Sequence, residues 1–257
     1  MSFENVLYRK HGSIAWIVLN RPNVLNALNK KLWCEMYQTL DQAEKDEEIR
    51  AIILTGSGRA FSSGDDIEEV LKLRTHEDIR AFFFDCAIPT IAKILTLPKP
   101  IIAAVNGLAY GGGCEIVMLC DMAVASNNAT FAVPEALIGA LPPIASVIGP
   151  YVIGRLNTSM MILTGEPVSA EDAKLMGLVN KVVSPDELTT AAERIATSTM
   201  RAAPSSIKVM KKLLNRRFEP KELECSVEEL INIVQSDEGR EGHKAFKEKR
   251  LPNWAKF

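Results

Sequence analysis

Residues 101–125 constrain the fold more than any other stretch. They form the longest apolar region of the 257-residue chain, yet they contain Asn106, four glycines, Glu115 and Asp121. Hydrocarbon penalises such groups heavily, so the region reads as protein core and not as a membrane span. Within it, Ile101–Val105 has the pattern of a buried strand. Gly111-Gly112-Gly113 then opens a short apolar helix running through Leu119, and residues 122–125 and 130–133 are strand-like again. A chain of this length buries most of its apolar surface, as one large α/β domain or one domain with a small appendage. A composition of 47% hydrophobic and 24% charged residues fits an ordinary globular protein.

The flanking sequence continues the alternation of strands and helices. Residues 3–8 and 14–19 are β-rich runs that resemble a hairpin. From 29 to 45, Leu32, Met36, Leu40 and Ala43 recur at helical steps, with Asn29 as N-cap. Residues 51–55 read as a buried strand, and a helix falls within 75–95 before Pro98 and Pro100. After Pro134 the chain is mainly helical, over 146–152, 156–163 and 170–176, the last lying between Ser169 and Gly177. Residues 181–183 read as a last short strand. Beyond Asp186 the pattern is helical, punctuated by Pro204, Pro220 and Gly239. The expected division is a core over residues 1–200 and a helical region over 201–257.

Charge and cysteines exclude several classes of function. A formal charge of −2 offers no global attraction to nucleic acid or anionic lipid, so neither partner is expected. The basic residues from Lys208 to Arg217 alternate with apolar ones at helical spacing and read as an amphipathic helix. The five cysteines, Cys34, Cys86, Cys114, Cys120 and Cys225, form no C-x-x-C pair, so neither a disulfide framework nor a zinc site is expected. They suit a reducing compartment. The N-terminus has neither a signal-peptide core nor a transit-peptide composition, which makes the expected location cytoplasmic. His11, His76 and His243 sit in no triad context and read as surface residues, and no metal site is expected.

Three segments can carry chemistry. Ala60-Phe-Ser-Ser-Gly-Asp-Asp-Ile67 follows a strand and a glycine turn; it reads as a tight turn into a helix, or as a kinked backbone that leaves amides facing a ligand. The run from Gly107 to Glu115 places three glycines at a helix start, where unhindered N–H groups and the helix dipole favour an anion. The same glycines would equally permit close helix-on-strand packing. No P-loop signature follows. Glu115 lies among Cys114, Ile116, Val117 and Met118, and Glu135 lies in a second apolar setting twenty residues later. Such carboxyls are either paired or functional, and if folding brings them together they form an acid/base pair with separated pKa values.

Taken in order, Ala60–Ile67, Asn106-Gly-Leu-Ala-Tyr-Gly-Gly-Gly-Cys-Glu115, Cys120-Asp121 and Phe131-x-x-Pro-Glu135 resemble the motifs of the enoyl-CoA hydratase/isomerase, or crotonase, family. Asn20-Arg21-Pro22, Asn26-Ala27-Leu28 and Phe246-Lys-Glu-Lys-Arg250 extend the resemblance over nearly the whole chain. It implies a crotonase-like α/β spiral of repeated ββα units with a helical C-terminal trimerisation region, and a homotrimer or a hexamer made of two trimers. It implies an acyl-CoA thioester as substrate, no cofactor beyond that coenzyme A, and an oxyanion hole made by the amides of Asp65 and Gly112. Glu115 would activate water and Glu135 would exchange a proton with the α-carbon. Ala27, Ser63, Ile67, Pro134 and Pro143 would line the substrate or coenzyme path. Phe246 and Lys249 would meet the adenosine end, often from a neighbouring subunit.

Two departures bear on the activity. Asp65 stands where a small residue is usual, which keeps the N–H but adds a carboxyl. Pro143 stands where a glycine amide often holds the attacking water, and proline has no N–H. The leading expectation is an enoyl-CoA hydratase, or 3-hydroxyacyl-CoA dehydratase. Δ3-Δ2 enoyl-CoA isomerisation or another acyl-CoA lyase reaction is the alternative, and a non-catalytic acyl-CoA or RNA binder stands further off. The acyl-pocket walls are expected from residues 71–91 and 136–151.

Overall fold

The computed structural model describes residues 3–73, 75–218 and 220–255. Strands β1 (Val6–His11) and β2 (Ile14–Leu19) form the expected hairpin and lead to helix α1 (Lys30–Lys45). Strands β3 (Ala51–Gly56) and β4 (Ala60–Ser62) come next. Helices α2 (Ile67–Val70) and α3 (His76–Phe82), a π-helical segment Phe83–Ala87 and helix α4 (Ile88–Thr96) follow. The chain repeats the strand pair as β5 (Ile101–Val105) and β6 (Leu108–Tyr110) before α5 (Gly112–Leu119). It does so again as β7 (Met122–Ser126) and β8 (Thr130–Ala132). Helices α6 (Pro143–Val152) and α7 (Arg155–Thr164), strand β9 (Val168–Ser169), helix α8 (Ala170–Met176) and strand β10 (Lys181–Val183) complete the core. Helices α9 (Leu188–Thr199), α10 (Pro204–Leu214), α11 (Pro220–Gln235) and α12 (Asp237–Lys247) end the chain.

One strand of each pair joins one sheet and its partner the other. The larger sheet runs β1-β2-β3-β5-β7-β10 and the smaller β4-β6-β8-β9. This is the α/β spiral of ββα units. From β2 to β10 the large sheet is parallel, and both its faces are covered. Ile52, Leu54, Ile101, Ala103 and Val105 pack on one face with Leu32, Met36 and Leu40 of α1. Ile53, Ile102, Ala104 and Val124 pack on the other with Leu188, Ala192 and Ala196 of α9. Continuous burial on two faces explains why residues 101–105 show no polar alternation.

Two asparagines fix the corner between β3 and β4. Asn26 Nδ2 donates to the carbonyls of Ser57 (2.9 Å) and Ala60 (2.8 Å). Asn106 Nδ2 donates to those of Gly58 (3.0 Å) and Ala60 (3.1 Å). Buried carbonyls left unpaired here would each cost about 1–3 kcal/mol. The clamp sets where β4 begins, and the loop that follows the strand starts after Ser62.

Several expectations need correction. The helix expected within 75–95 is present and carries a π-helical turn, which Pro89 at the start of α4 helps to impose. Helix α6 begins at Pro143, earlier than the expected 146. Gly239 lies inside α12, where it permits the sharp turn from α11: a Cβ there would stand 2.2 Å from the Ile233 carbonyl oxygen. Cys34 and Cys86 are disulfide-bonded, with Cα atoms 4.9 Å apart across the contact between α1 and the π segment. Spacing along the chain carries no trace of a pair made by tertiary packing, and the bond removes the argument from cysteines for a reducing compartment. Among the described residues no helix is long and apolar enough to cross a membrane.

The basic run of α10 is also not wholly solvated. Lys211 is buried, and its Nζ meets Asp121 Oδ2 (2.7 Å) and the carbonyl of Lys99 (3.0 Å). Asp121 Oδ2 accepts from the Ile101 amide (2.8 Å) as well, so one carboxylate ties α10 to the start of β5. Asp121→Ala leaves a buried ammonium without its counter-charge and is expected to lower unfolding free energy by about 3–5 kcal/mol in urea titration. Lys211→Met should cost less, because an apolar chain of similar length replaces the ion.

Candidate active site

Three backbone hydrogen bonds tie the loop after β4 to the segment before α1. Leu28 N donates to the Gly64 carbonyl (2.8 Å), Asp66 N to the Leu28 carbonyl (3.1 Å), and Ser63 N to the Leu25 carbonyl (3.0 Å). Gly64 N donates to Ser62 Oγ (3.2 Å). The Asp65 N–H is left over, with no acceptor among the described residues. Gly112 opens α5, so its N–H has no partner within the helix. The two backbones are adjacent: a Cβ placed on Gly112 would lie 3.8 Å from Asp65 N, and one on Gly64 would lie 3.1 Å from Gly112 N. Two spare donors beside each other at a helix start form a site for an oxygen that gains negative charge.

Glu115 lies one turn into α5 and is 3% exposed. Its Oε1 accepts from the amides of Ile144 (2.9 Å) and Ala145 (2.7 Å), in the first turn of α6. Pro143 therefore has a structural effect that the sequence does not reveal. It occupies the first helical position, where its missing N–H is no loss and its fixed φ starts the helix, and the next two amides hold the carboxylate. Burial raises the pKa of Glu115 to about 8, opposed by the two amides and helped by nearby Asp65.

Glu135 begins the 3-10 turn Glu135–Ile138, and its buried Oε2 has no hydrogen-bond partner. Burial first, and then the charge of Glu115, push its pKa well above the carboxylate range. Gly111 makes room for it: φ is +53°, and a Cβ there would lie 2.7 Å from Glu135 Oε1. Folding thus unites the two glutamates on different elements, in unequal settings.

The Asp65 side chain brings a third carboxyl to the site. Its Oδ1 accepts from Trp33 Nε1 on α1 (3.1 Å). Burial raises its pKa to about 6, against the pull of that indole hydrogen bond. Its charge raises both glutamates further. Trp33 is absent from the sequence-derived site because only the folded packing of α1 against the loop joins it to Asp65.

These carboxyls line a cavity of about 380 Å³ whose other walls are largely apolar. Ser63, Ile67, Pro134, Pro143 and Phe246 line it, and Phe246 comes from α12 of the same chain. Gly112 stands just behind the lining. Ala27 and Lys249 do not reach it; the Ala27 carbonyl instead accepts from Arg21 Nη1 (2.6 Å), and Lys249 lies exposed past α12. His243 corrects another expectation. It is not a surface residue but is 5% exposed and lines the cavity. Its place one turn before Phe246 on the same helix face was the available signal.

A family model described as enoyl-CoA hydratase/isomerase matches residues 9–256. The chain is 36% identical to the short-chain-enoyl-CoA hydratase of Clostridium acetobutylicum, over 97% of each chain. It is 36% identical to the mitochondrial enoyl-CoA hydratase of Pongo abelii, over 98% of this chain and 88% of that one. A solved enoyl-CoA hydratase/isomerase of Pseudoalteromonas atlantica superposes with a TM-score of 0.85 at 29% identity, covering 98% of this chain and all of that one.

The buried acids give stability a definite pH dependence. Unfolded Glu115 ionises near the ordinary glutamate value of 4.5, whereas the folded residue holds its proton to about 8. Between those values the native state binds more protons, so unfolding free energy falls as pH rises through that window. Urea unfolding across it should show the fall, and Glu115→Gln should flatten it.

Proposed function

The chain belongs to the enoyl-CoA hydratase/isomerase family, and from that premise we propose that it is an enoyl-CoA hydratase, acting in reverse as a 3-hydroxyacyl-CoA dehydratase. The unequal setting of the two glutamates carries this reading. Glu115, with one oxygen on two helix amides, is the carboxyl whose charged form is supported. Glu135, with an unpartnered buried oxygen, is the one that keeps its proton. A base and an acid side by side are what addition of water across a double bond requires.

In this mechanism the thioester oxygen accepts hydrogen bonds from the amides of Asp65 and Gly112, which stabilise the enolate as its charge develops. Removal of one such donor typically costs about 3–4 kcal/mol in the barrier. Ionised Glu115 takes a proton from water as the water oxygen bonds to the β-carbon. Glu135 delivers its proton to the α-carbon. Exchange of a proton with solvent then restores the pair. The chemistry needs no cofactor besides the coenzyme A of the substrate, because backbone amides polarise the carbonyl.

Ser63, Ile67, Pro134 and Phe246 flank the coenzyme path in this reading, and Lys249 is left for its adenosine end. The same reading makes the protein a cytoplasmic homotrimer or hexamer. Exposed Leu156, Met160 and Leu163, spaced along one face of α7, supply apolar surface for such an assembly to cover. Isomerisation of 3-enoyl thioesters remains the second reading, favoured by Pro143, which lines the cavity without an N–H to hold water.

With crotonyl-CoA, absorbance of the conjugated enoyl thioester should decay, and Glu115→Gln and Glu135→Gln should each lower kcat by about 10²–10⁴. The wild-type rate should rise as pH climbs toward about 8, where Glu115 loses its proton, and Glu115→Gln should abolish that limb. Absence of decay with wild type, together with turnover of 3-enoyl thioesters that depends on Glu135 alone, would replace hydration by isomerisation.

A further inference from the structure

Among the polar groups of the cavity that the hydration chemistry does not use is the His243 imidazole. His243 projects from α12 with its Nδ1 2.7 Å from the Gly239 carbonyl oxygen. A carbonyl can only accept, so Nδ1 carries the hydrogen, and in the neutral ring Nε2 presents a lone pair. Burial keeps the ring neutral by pushing its pKa down. Nε2 has no partner among the described residues, although the residue as a whole is buried and lines the cavity. The residue is held firmly there. A Cβ on neighbouring Gly242 would stand 2.2 Å from the Ile138 carbonyl oxygen, so α12 lies directly against the turn that carries Glu135.

His243 also stands at a junction. A second cavity, of about 260 Å³, shares Val70, Val234 and His243 with the catalytic one and continues to Gln235 and Arg240. Leu71, Leu73 and Ile79 also line it, and Gly239 completes the wall. Leu71, Leu73 and Ile79 belong to the 71–91 segment expected to wall the acyl pocket. The apolar walls of the catalytic cavity therefore give way, past His243, to a polar annex.

Resting on the hydratase reading, we propose that the annex receives the far end of the acyl group and that His243 Nε2 accepts a hydrogen bond from a hydroxyl carried there. The substrate class is an enoyl-CoA thioester with a hydroxylated acyl tail. A site built around an unpartnered acceptor facing the cavity discriminates against an analogue that leaves it without a donor. The amides of the coenzyme arm are the other donors that could reach Nε2, and they are common to every substrate.

The test compares kcat/KM for trans-2-hexenoyl-CoA and its ω-hydroxy counterpart, with crotonyl-CoA as reference. Wild type should favour the hydroxylated thioester by about tenfold, the scale of one hydrogen bond. His243→Leu should bring the ratio of the two close to one, and His243→Gln, which retains an acceptor, should keep part of the preference. Equal loss on all three substrates in His243→Leu would assign Nε2 to the coenzyme arm and overturn the proposal. Hydration of crotonyl-CoA by wild type without preference for the hydroxylated tail would also overturn it, leaving the hydratase reading intact. No turnover of any enoyl thioester would refute that reading, and the proposal with it.

Discussion

The contact between the Glu115 carboxylate and the amides of Ile144 and Ala145 is the one on which the rest of the site depends. It joins α5, whose first residue supplies a spare amide, to α6, whose first turn would otherwise expose unpaired donors inside the protein. It also breaks the symmetry between two buried glutamates. Without it, both would face the same apolar surroundings and each other's charge, and neither would be prepared to act as the base. With it, one carboxylate is supported by two hydrogen bonds and a helix dipole, while the other is left as an acid.

The spiral makes this contact possible by stacking short strands. Each turn of chain gives one strand to the large sheet and one to the small sheet, so β4, β6 and β8 lie side by side although their first residues are Ala60, Leu108 and Thr130. The loops after those three strands carry Asp65, Gly112 and Glu135. The site is thus assembled at one end of the three parallel strands of the small sheet, where backbone amides have run out of strand partners. The α12 helix then closes the cavity from the far side with His243 and Phe246. The tail is anchored by the ion pair between Lys211 and Asp121, near the start of β5.

Much of this was legible in the sequence because it rests on local rules. Asn29 caps α1 through its side chain, Ser169 and Gly177 bound α8, and residues 101–105 are a strand buried on both faces. The motif glycines and both glutamates also pointed to one site, although only the family resemblance said how they would meet. What escaped depends on contacts between distant segments. No spacing rule links Cys34 to Cys86, Trp33 to Asp65 or Lys211 to Asp121. Pro143 was read for the donor it lacks, when its effect is to start a helix whose following amides do the holding. His243 looked like a surface residue because α12 is strongly polar, and the glycines that let it press against residues 135–138 carry no periodic signal.

The central claim is that Glu115 and Glu135 give up their protons in a fixed order set by their different surroundings. Difference infrared spectroscopy of the protonated carboxyl stretch, followed through a pH titration of wild type, Glu115→Gln and Glu135→Gln, tests it directly. The account predicts that the band lost with Glu115→Gln disappears first in wild type, near about pH 8, while the band lost with Glu135→Gln survives to higher pH. Loss of the Glu135 band first, or ionisation of both glutamates below about pH 6, would contradict it.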